Sequence, residues 1–319
     1  MRFPLQPHVL TIGEILVEIM ATSRGNGFRE AMDLVGPFPS GAPAIFIDQI
    51  ARLGLSCAMI GCVGDDDFGW LNIERLRRDG VDVSAIEVRG GAATGSAFVR
   101  YRNDGGRDFV FNLRDSANRH IRVGEAARAA IERASHLHVV GSSLASEPVA
   151  TAVLEALGTV KARGGTVSFD PNIRKEMLGA PGLQDSLRQV LAATDLFLPS
   201  GDELLLFSSR TEETPALRDL LARGISAIVH KKGAAGARYL DGQSDIVRPA
   251  HRVEEVDPTG AGDIFGATFV AGWLNRLAPE DSLRLACAAG ALAVMRQGPM
   301  EGVASRDEIE AFLESSGSP

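Results

Sequence analysis

Residues 264–274 read Ile-Phe-Gly-Ala-Thr-Phe-Val-Ala-Gly-Trp-Leu. A helix through them is apolar on nearly every face, and such a helix is stable only where other elements cover it all round. The chain must therefore supply a core that encloses it. With 319 residues, 45% of them hydrophobic, it has the material for one large α/β domain with an appendage. Directly before this helix stands Asp257-Pro258-Thr259-Gly260-Ala261-Gly262-Asp263. A helix starting near Ala261 leaves its first amides without intrahelical partners, and its dipole adds about half a positive charge there. The glycines remove Cβ atoms, so an anion can approach those amides closely. Asp263 then has two readings. It stabilises its own helix start, by capping or through the dipole. Or it is a general base beside a phosphate held by the amides of Gly260, Ala261 and Gly262, kept ionised by the same dipole.

Around this feature, apolar runs of strand length alternate with segments of helical period. Residues 9–19 read as one strand, followed by strands at 57–64, 136–141, 166–170, 195–199 and 227–231. Helical patterns at 41–54, 67–80, 146–163, 183–193 and 214–222 lie between them, and Gly54 and Gly80 mark stops. This alternation predicts a parallel sheet covered on both faces. Two stretches break it. Residues 94–113 form a hairpin pattern around Asn103-Asp104-Gly105-Gly106, and residues 20–38 are irregular. Both read as a small β appendage, either a lid or a surface hairpin. Ser305-Arg306-Asp307-Glu308 is a capping box opening the last helix.

The net charge is -8, which argues against a nucleic-acid footprint. Cys57, Cys62 and Cys287 have neither disulfide nor zinc spacing, and a reducing cytoplasm is expected. No apolar run has the length of a membrane span, about 20 residues. No Gly-x-Gly-x-x-Gly follows the first strand, so an NAD-dependent oxidoreductase is not indicated.

Four further segments sit where strands end: Val63-Gly64-Asp65-Asp66-Asp67-Phe68-Gly69, Asp170-Pro171-Asn172-Ile173-Arg174, Leu198-Pro199-Ser200-Gly201-Asp202-Glu203-Leu204 and Lys231-Lys232-Gly233-Ala234-Ala235-Gly236-Ala237. In this order, with the stretch from Ser40 to Gly54 and with residues 257–263, they resemble the PfkB family of carbohydrate kinases over nearly the whole chain. The resemblance implies a ribokinase-like αβα sandwich in a single domain, 1–319, with a small β-sheet lid from about 15–38 and 92–121. It implies transfer of the γ-phosphate of ATP to a hydroxymethyl group. Asp263 matches the family's base, and Gly260, Ala261 and Gly262 its anion hole. Glu203 would organise Mg2+, mostly through water. Ser200, Lys232, Gly233, Gly236 and Gly262 would lie along the nucleotide, with Cys287 and Gly290 bordering adenine. Asp257, Thr259 and Gly298 match a loop that holds a monovalent cation, K+, in many members.

The substrate side departs from the family pattern. Glu18 stands for a shorter aspartate, Ile45 for an asparagine, and Ser200 for the asparagine of the N-x-x-E motif. Gly41, Ala42, Arg114, Asn118 and Asn172 complete the candidate sugar ligands, although salt-bridged lid residues are an equal reading of Arg114 and Asn118. The general look of the chain points to a ketohexose or a related keto-acid: tagatose first, then 2-keto-3-deoxygluconate and fructose. Two alternatives stand beside it, a weakly catalytic sugar- or nucleotide-sensing protein on the same fold and a nucleoside kinase. The expected partners are a small sugar and ATP, with no nucleic acid, no membrane, and a homodimer formed through the lid.

Overall fold

Why the main sheet reads as unbroken apolar runs is plain from its burial. In the computed structural model the described residues are 8–316 without Gly105 and Arg174, and without the side chains of Lys175 and Glu176. The first half contains strands β1 (Val9–Ile12), β2 (Leu16–Ala21) and β3 (Leu34–Ser40), helix α1 (Ala42–Arg52), β4 (Cys57–Gly64), α2 (Asp67–Asp79), β5 (Ile86–Arg89), β6 (Gly95–Tyr101), β7 (Arg107–Asn112), α3 (Glu125–Arg133), β8 (His136–Val140) and α4 (Glu147–Ala162). The second half adds β9 (Thr166–Asp170), α5 (Leu183–Ala192), β10 (Leu196–Phe197), α6 (Glu203–Leu206), α7 (Glu213–Ala222), β11 (Ala227–Lys231), β12 (Ala237–Asp241), β13 (Asp245–Arg248), α8 (Ala261–Leu274), α9 (Pro279–Val294) and α10 (Arg306–Ser316).

Nine strands form one sheet in the order β13-β12-β11-β10-β9-β8-β1-β4-β5. It is parallel from β5 to β11 and antiparallel over β12 and β13. Every residue of β1, β4, β8 and β11 is buried, as a sheet covered on both faces requires. One core joins α1, α2, α8, α9 and α10 to one face, and a second joins α3, α4, α5, α6 and α7 to the other. α8 lies inside the first, buried continuously from Ile264 to Gly272. Its all-round apolarity therefore has the expected cause. The 305–308 capping box also forms, with Ser305 N donating to Glu308 Oε2 at 2.7 Å and Glu308 N to Ser305 Oγ at 3.3 Å.

A separate four-stranded sheet has the order β3-β2-β6-β7. It corrects the reading of 9–19 as one strand. β1 pairs with β4 and β8 in the large sheet, whereas β2 pairs with β3 and β6 in the small one. The apolar pattern hides this break because Ile15, in the connection, is itself fully buried. The acidic turn before α2 fastens the small sheet's root. Asp66 Oδ1 accepts from Gly69 N at 2.8 Å and from Thr94 Oγ at 2.7 Å, and its Oδ2 accepts from Thr94 N at 2.8 Å.

Candidate active site

The carboxyl ends of parallel strands are where an open α/β sheet binds ligands, and here they carry a charged cluster. Asp170 ends β9 and Lys231 ends β11. Lys231 Nζ donates to Asp170 Oδ2, and both residues are buried. Burial works against the lysine's charge, but Asp170, Glu203 and Asp263 outweigh it and raise its pKa. The other carboxylate oxygen of Asp170 is buried with no hydrogen-bond partner among the described residues.

Gly260 caps the start of α8 with φ +80°, and a Cβ there would collide with the Pro299 carbonyl oxygen. Only glycine fits both conditions. No side chain caps these amides. The position of Gly262 is exposed, and a Cβ there would meet only Lys231 Nζ, 3.8 Å away. The helix start is thus open to an anion, with an ammonium beside it. Asp263 lies half-buried in the first turn. No hydrogen bond among the described residues engages its carboxylate, so it does not act as a cap. Burial pushes its pKa well above the carboxylate range. Asp170, Glu14 and Glu18 add to that shift, and Lys231 opposes it. The helix dipole works in the other direction, favouring the charged form.

Glu203 supports the site through its neighbours. Its Oε1 accepts from Ile173 N at 2.6 Å and its Oε2 from Ser200 N at 2.8 Å. Both oxygens hold turns. Burial, with Asp170 next, raises its pKa to about 7. Among the described residues no group of three His, Cys, Asp or Glu side chains is arranged as a metal cage. A cation held chiefly by phosphate oxygens and water is compatible with that, and the free Asp170 oxygen offers one further hard ligand.

Among the residues expected to meet a sugar, Gly41 caps α1 with φ +114°, and a Cβ there would lie 2.5 Å from the Glu14 carbonyl oxygen. Ala42 is half-buried beside it. Glu18 is buried and its Oε1 accepts from Ser40 Oγ at 2.8 Å. Glu14, which residue patterning did not single out, accepts from Ser143 Oγ at 2.5 Å, and burial raises its pKa. Asn172 is exposed in the turn after β9 with φ +44°, a strained backbone for a residue other than glycine.

Several expected residues are placed elsewhere. Ile45 is 2% exposed and belongs to the α1 core. Asn118 is buried and staples the β1–β2 connection, accepting from Ile15 N at 3.1 Å and donating to Ile15 O at 3.2 Å. Its amide is therefore structural. Arg114 is exposed on a cavity of about 690 Å³ between α2 and the lid, shared with Asp66, Thr94 and Phe111 and with none of the charged cluster. Lys232 points outward and donates to Glu213 Oε2 at 2.7 Å; its neighbour Lys231 is the inward lysine. Gly233 and Gly236 shape the β11–β12 turn, with φ +55° and +93°. Gly290 of α9 abuts Ala261 and Phe265, and Cys287 is buried one turn earlier, its thiol pushed up to about 11 by burial.

The expected cation loop is tied to the lid. Asp257 is buried, its Oδ1 accepting from Tyr101 Oη at 2.5 Å and Thr259 N at 2.9 Å, and its Oδ2 from Gly298 N at 2.9 Å. Tyr101 comes from β6 of the lid and also lies 3.1 Å from Thr259 Oγ. Three donors thus answer this carboxylate.

The model of the pfkB family carbohydrate kinases matches residues 6–306. Fructokinase-1 of Oryza sativa subsp. japonica is 30% identical over 323 residues, spanning 97% of this chain and 98% of its own. A Ribokinase II from E. coli, so named provisionally and solved with ATP and Mg2+, superposes with TM-score 0.92 at 46% identity, covering 97% of this chain and 99% of its own. Fructokinase from Vibrio cholerae O395, solved with fructose, ADP and calcium, gives TM-score 0.82 at 26% identity over 97% and 99% of the two chains.

Proposed function

Because the chain belongs to the pfkB family of carbohydrate kinases, phosphotransferases acting on a sugar hydroxyl, we propose that it transfers the γ-phosphate of ATP to a hydroxymethyl group of a neutral ketohexose. The observation that carries the reading is the Asp263 carboxylate, free of hydrogen bonds beside the open helix start and the Lys231–Asp170 pair. In the step, Asp263 takes the proton of the sugar hydroxyl, whose oxygen forms a bond to Pγ while the bond from Pγ to the bridging oxygen of ADP breaks. Amides at Gly260, Ala261 and Gly262 offset the charge on the phosphoryl oxygens. A base whose pKa is raised above that of an ordinary aspartate accepts a proton more readily. Mg2+, when bound, neutralises phosphate charge, and Asp170 and Glu203 are the residues placed to hold it or its waters.

Charge supports a neutral sugar over a keto-deoxy sugar acid. Glu14, Glu18 and Asp170 all act on Asp263, while the one lysine acting on it is already paired with Asp170. A second anion in the acceptor site would meet like charge. The fructokinase relatives support fructose as the first acceptor to test, with tagatose beside it. The test is ADP release with ATP, Mg2+ and fructose, tagatose, 2-keto-3-deoxygluconate or adenosine. Highest kcat/KM with a neutral ketohexose is expected. A preference for the acid overturns the charge argument, and ligand binding without turnover across the panel favours a sensor.

A further inference from the structure

Tyr101 links two parts of the molecule that are remote in sequence. Its residue lies on the lid strand β6, and its hydroxyl reaches the loop that leads into α8, 156 positions on. There Asp257 gathers the Tyr101 hydroxyl, the Thr259 amide and the Gly298 amide. Thr259 directly precedes Gly260, so the position of the hydroxyl is passed to the helix start that faces phosphate. The tyrosine hydroxyl is the donor and the Asp257 carboxylate the acceptor. A neutral O–H on an anionic oxygen is a charge-assisted hydrogen bond, the stronger kind. It can fix a loop carboxylate as a bound cation would, and it comes from the lid.

We propose that Tyr101 is a positioning residue that fastens the lid to the loop before α8, its hydroxyl doing for Asp257 what a monovalent cation would otherwise do. Phosphoryl transfer by this chain then needs no such cation, and the loop takes its working shape only when β6 is in place. The inference rests on the kinase reading above.

The test compares the wild-type chain and Tyr101→Phe, each assayed with its best sugar in K+ and in tetramethylammonium at equal ionic strength. Wild-type kcat/KM is expected to change less than about twofold between the salts. Without K+, Tyr101→Phe should lose about 10–100-fold, the range of one charge-assisted hydrogen bond, and K+ should recover at least about threefold of that. Stimulation of the wild type by K+ of about tenfold overturns the proposal. So does a variant that keeps wild-type activity without K+, or one whose loss K+ does not relieve, since a loosened lid would give the latter. The unfolding midpoint gives the same comparison where no sugar is turned over. K+ should raise it in Tyr101→Phe by about 2 °C or more and leave the wild type unmoved, as binding to the folded state alone requires. Equal K+ effects on the two midpoints overturn the proposal independently of the kinase reading.

Discussion

The two sheets are built to different rules. In the large one, β4 is buried at all eight positions, and the Asp170–Lys231 pair stands at strand ends that core packing fixes on both faces. In the small one, β7 has no buried residue, and Leu34, Val110 and Phe111 are each more than two-fifths exposed. Charge that must be held to fractions of an ångström sits on the first. The second meets it through Glu18 and Tyr101, and Asn118, a few residues past β7, ties down the connection between β1 and β2. A rigid sheet can carry a strained, like-charged cluster because every neighbour is pinned; a half-solvated sheet can move without unfolding.

The largest expected break is at the start of α8, beside the ends of the rigid sheet. Asp263→Asn should lower kcat about 10²–10⁴-fold, and near-wild-type turnover by the folded variant would remove the base assignment. The same change should raise the unfolding midpoint by about 2–4 °C near pH 8. The sign follows from the raised pKa. A carboxyl whose folded pKa lies above its unfolded one is stabilising below the unfolded value and loses that contribution as pH rises through the folded one. The gain from removing it should therefore fade towards pH 4, and a gain independent of pH would contradict the burial argument. In kinetics, kcat/KM should begin to fall with acid at a higher pH than an ordinary aspartate allows.

Next comes Lys231→Met, which leaves Asp170 buried and unpaired. Stability should fall by about 3–5 kcal/mol in denaturant titration. The adjacent Lys232→Met, which breaks only a partly exposed bridge to Glu213, should stay within about 0.5 kcal/mol. Similar effects at the two lysines would erase the inside–outside distinction. Between these lies Asn118→Ala at the lid root, with an expected loss of about 1–3 kcal/mol for two backbone groups left unmet. Its sugar KM should change little; a tenfold rise at unchanged stability would return Asn118 to the substrate.

The same division explains what could be read without coordinates. Strand–helix alternation and the enclosed α8 follow from local period, so the large sheet was legible. So was the 257–263 stretch, whose glycines are required by geometry at one residue at least, Gly260. Lys231 and Lys232 are identical in type and adjacent, and only the register of β11 turns the first inward. Asp170, Glu14 and Tyr101 act through partners 61, 129 and 156 positions away, a distance no local pattern spans. Asn118 read as a polar lid residue because its backbone partners at Ile15 are set by tertiary contact alone.

Glu203 has one more consequence. A single carboxylate holds the turn after β9 by Ile173 and the turn after β10 by Ser200, so the two move as one body. One carries Asn172, and the other leads into α6. Thermodynamic linkage then runs in both directions. Whatever factor nucleotide binding contributes to sugar affinity through this carboxylate, sugar must return to nucleotide affinity in equal measure, and removal of the carboxylate should make the two binding events more nearly independent.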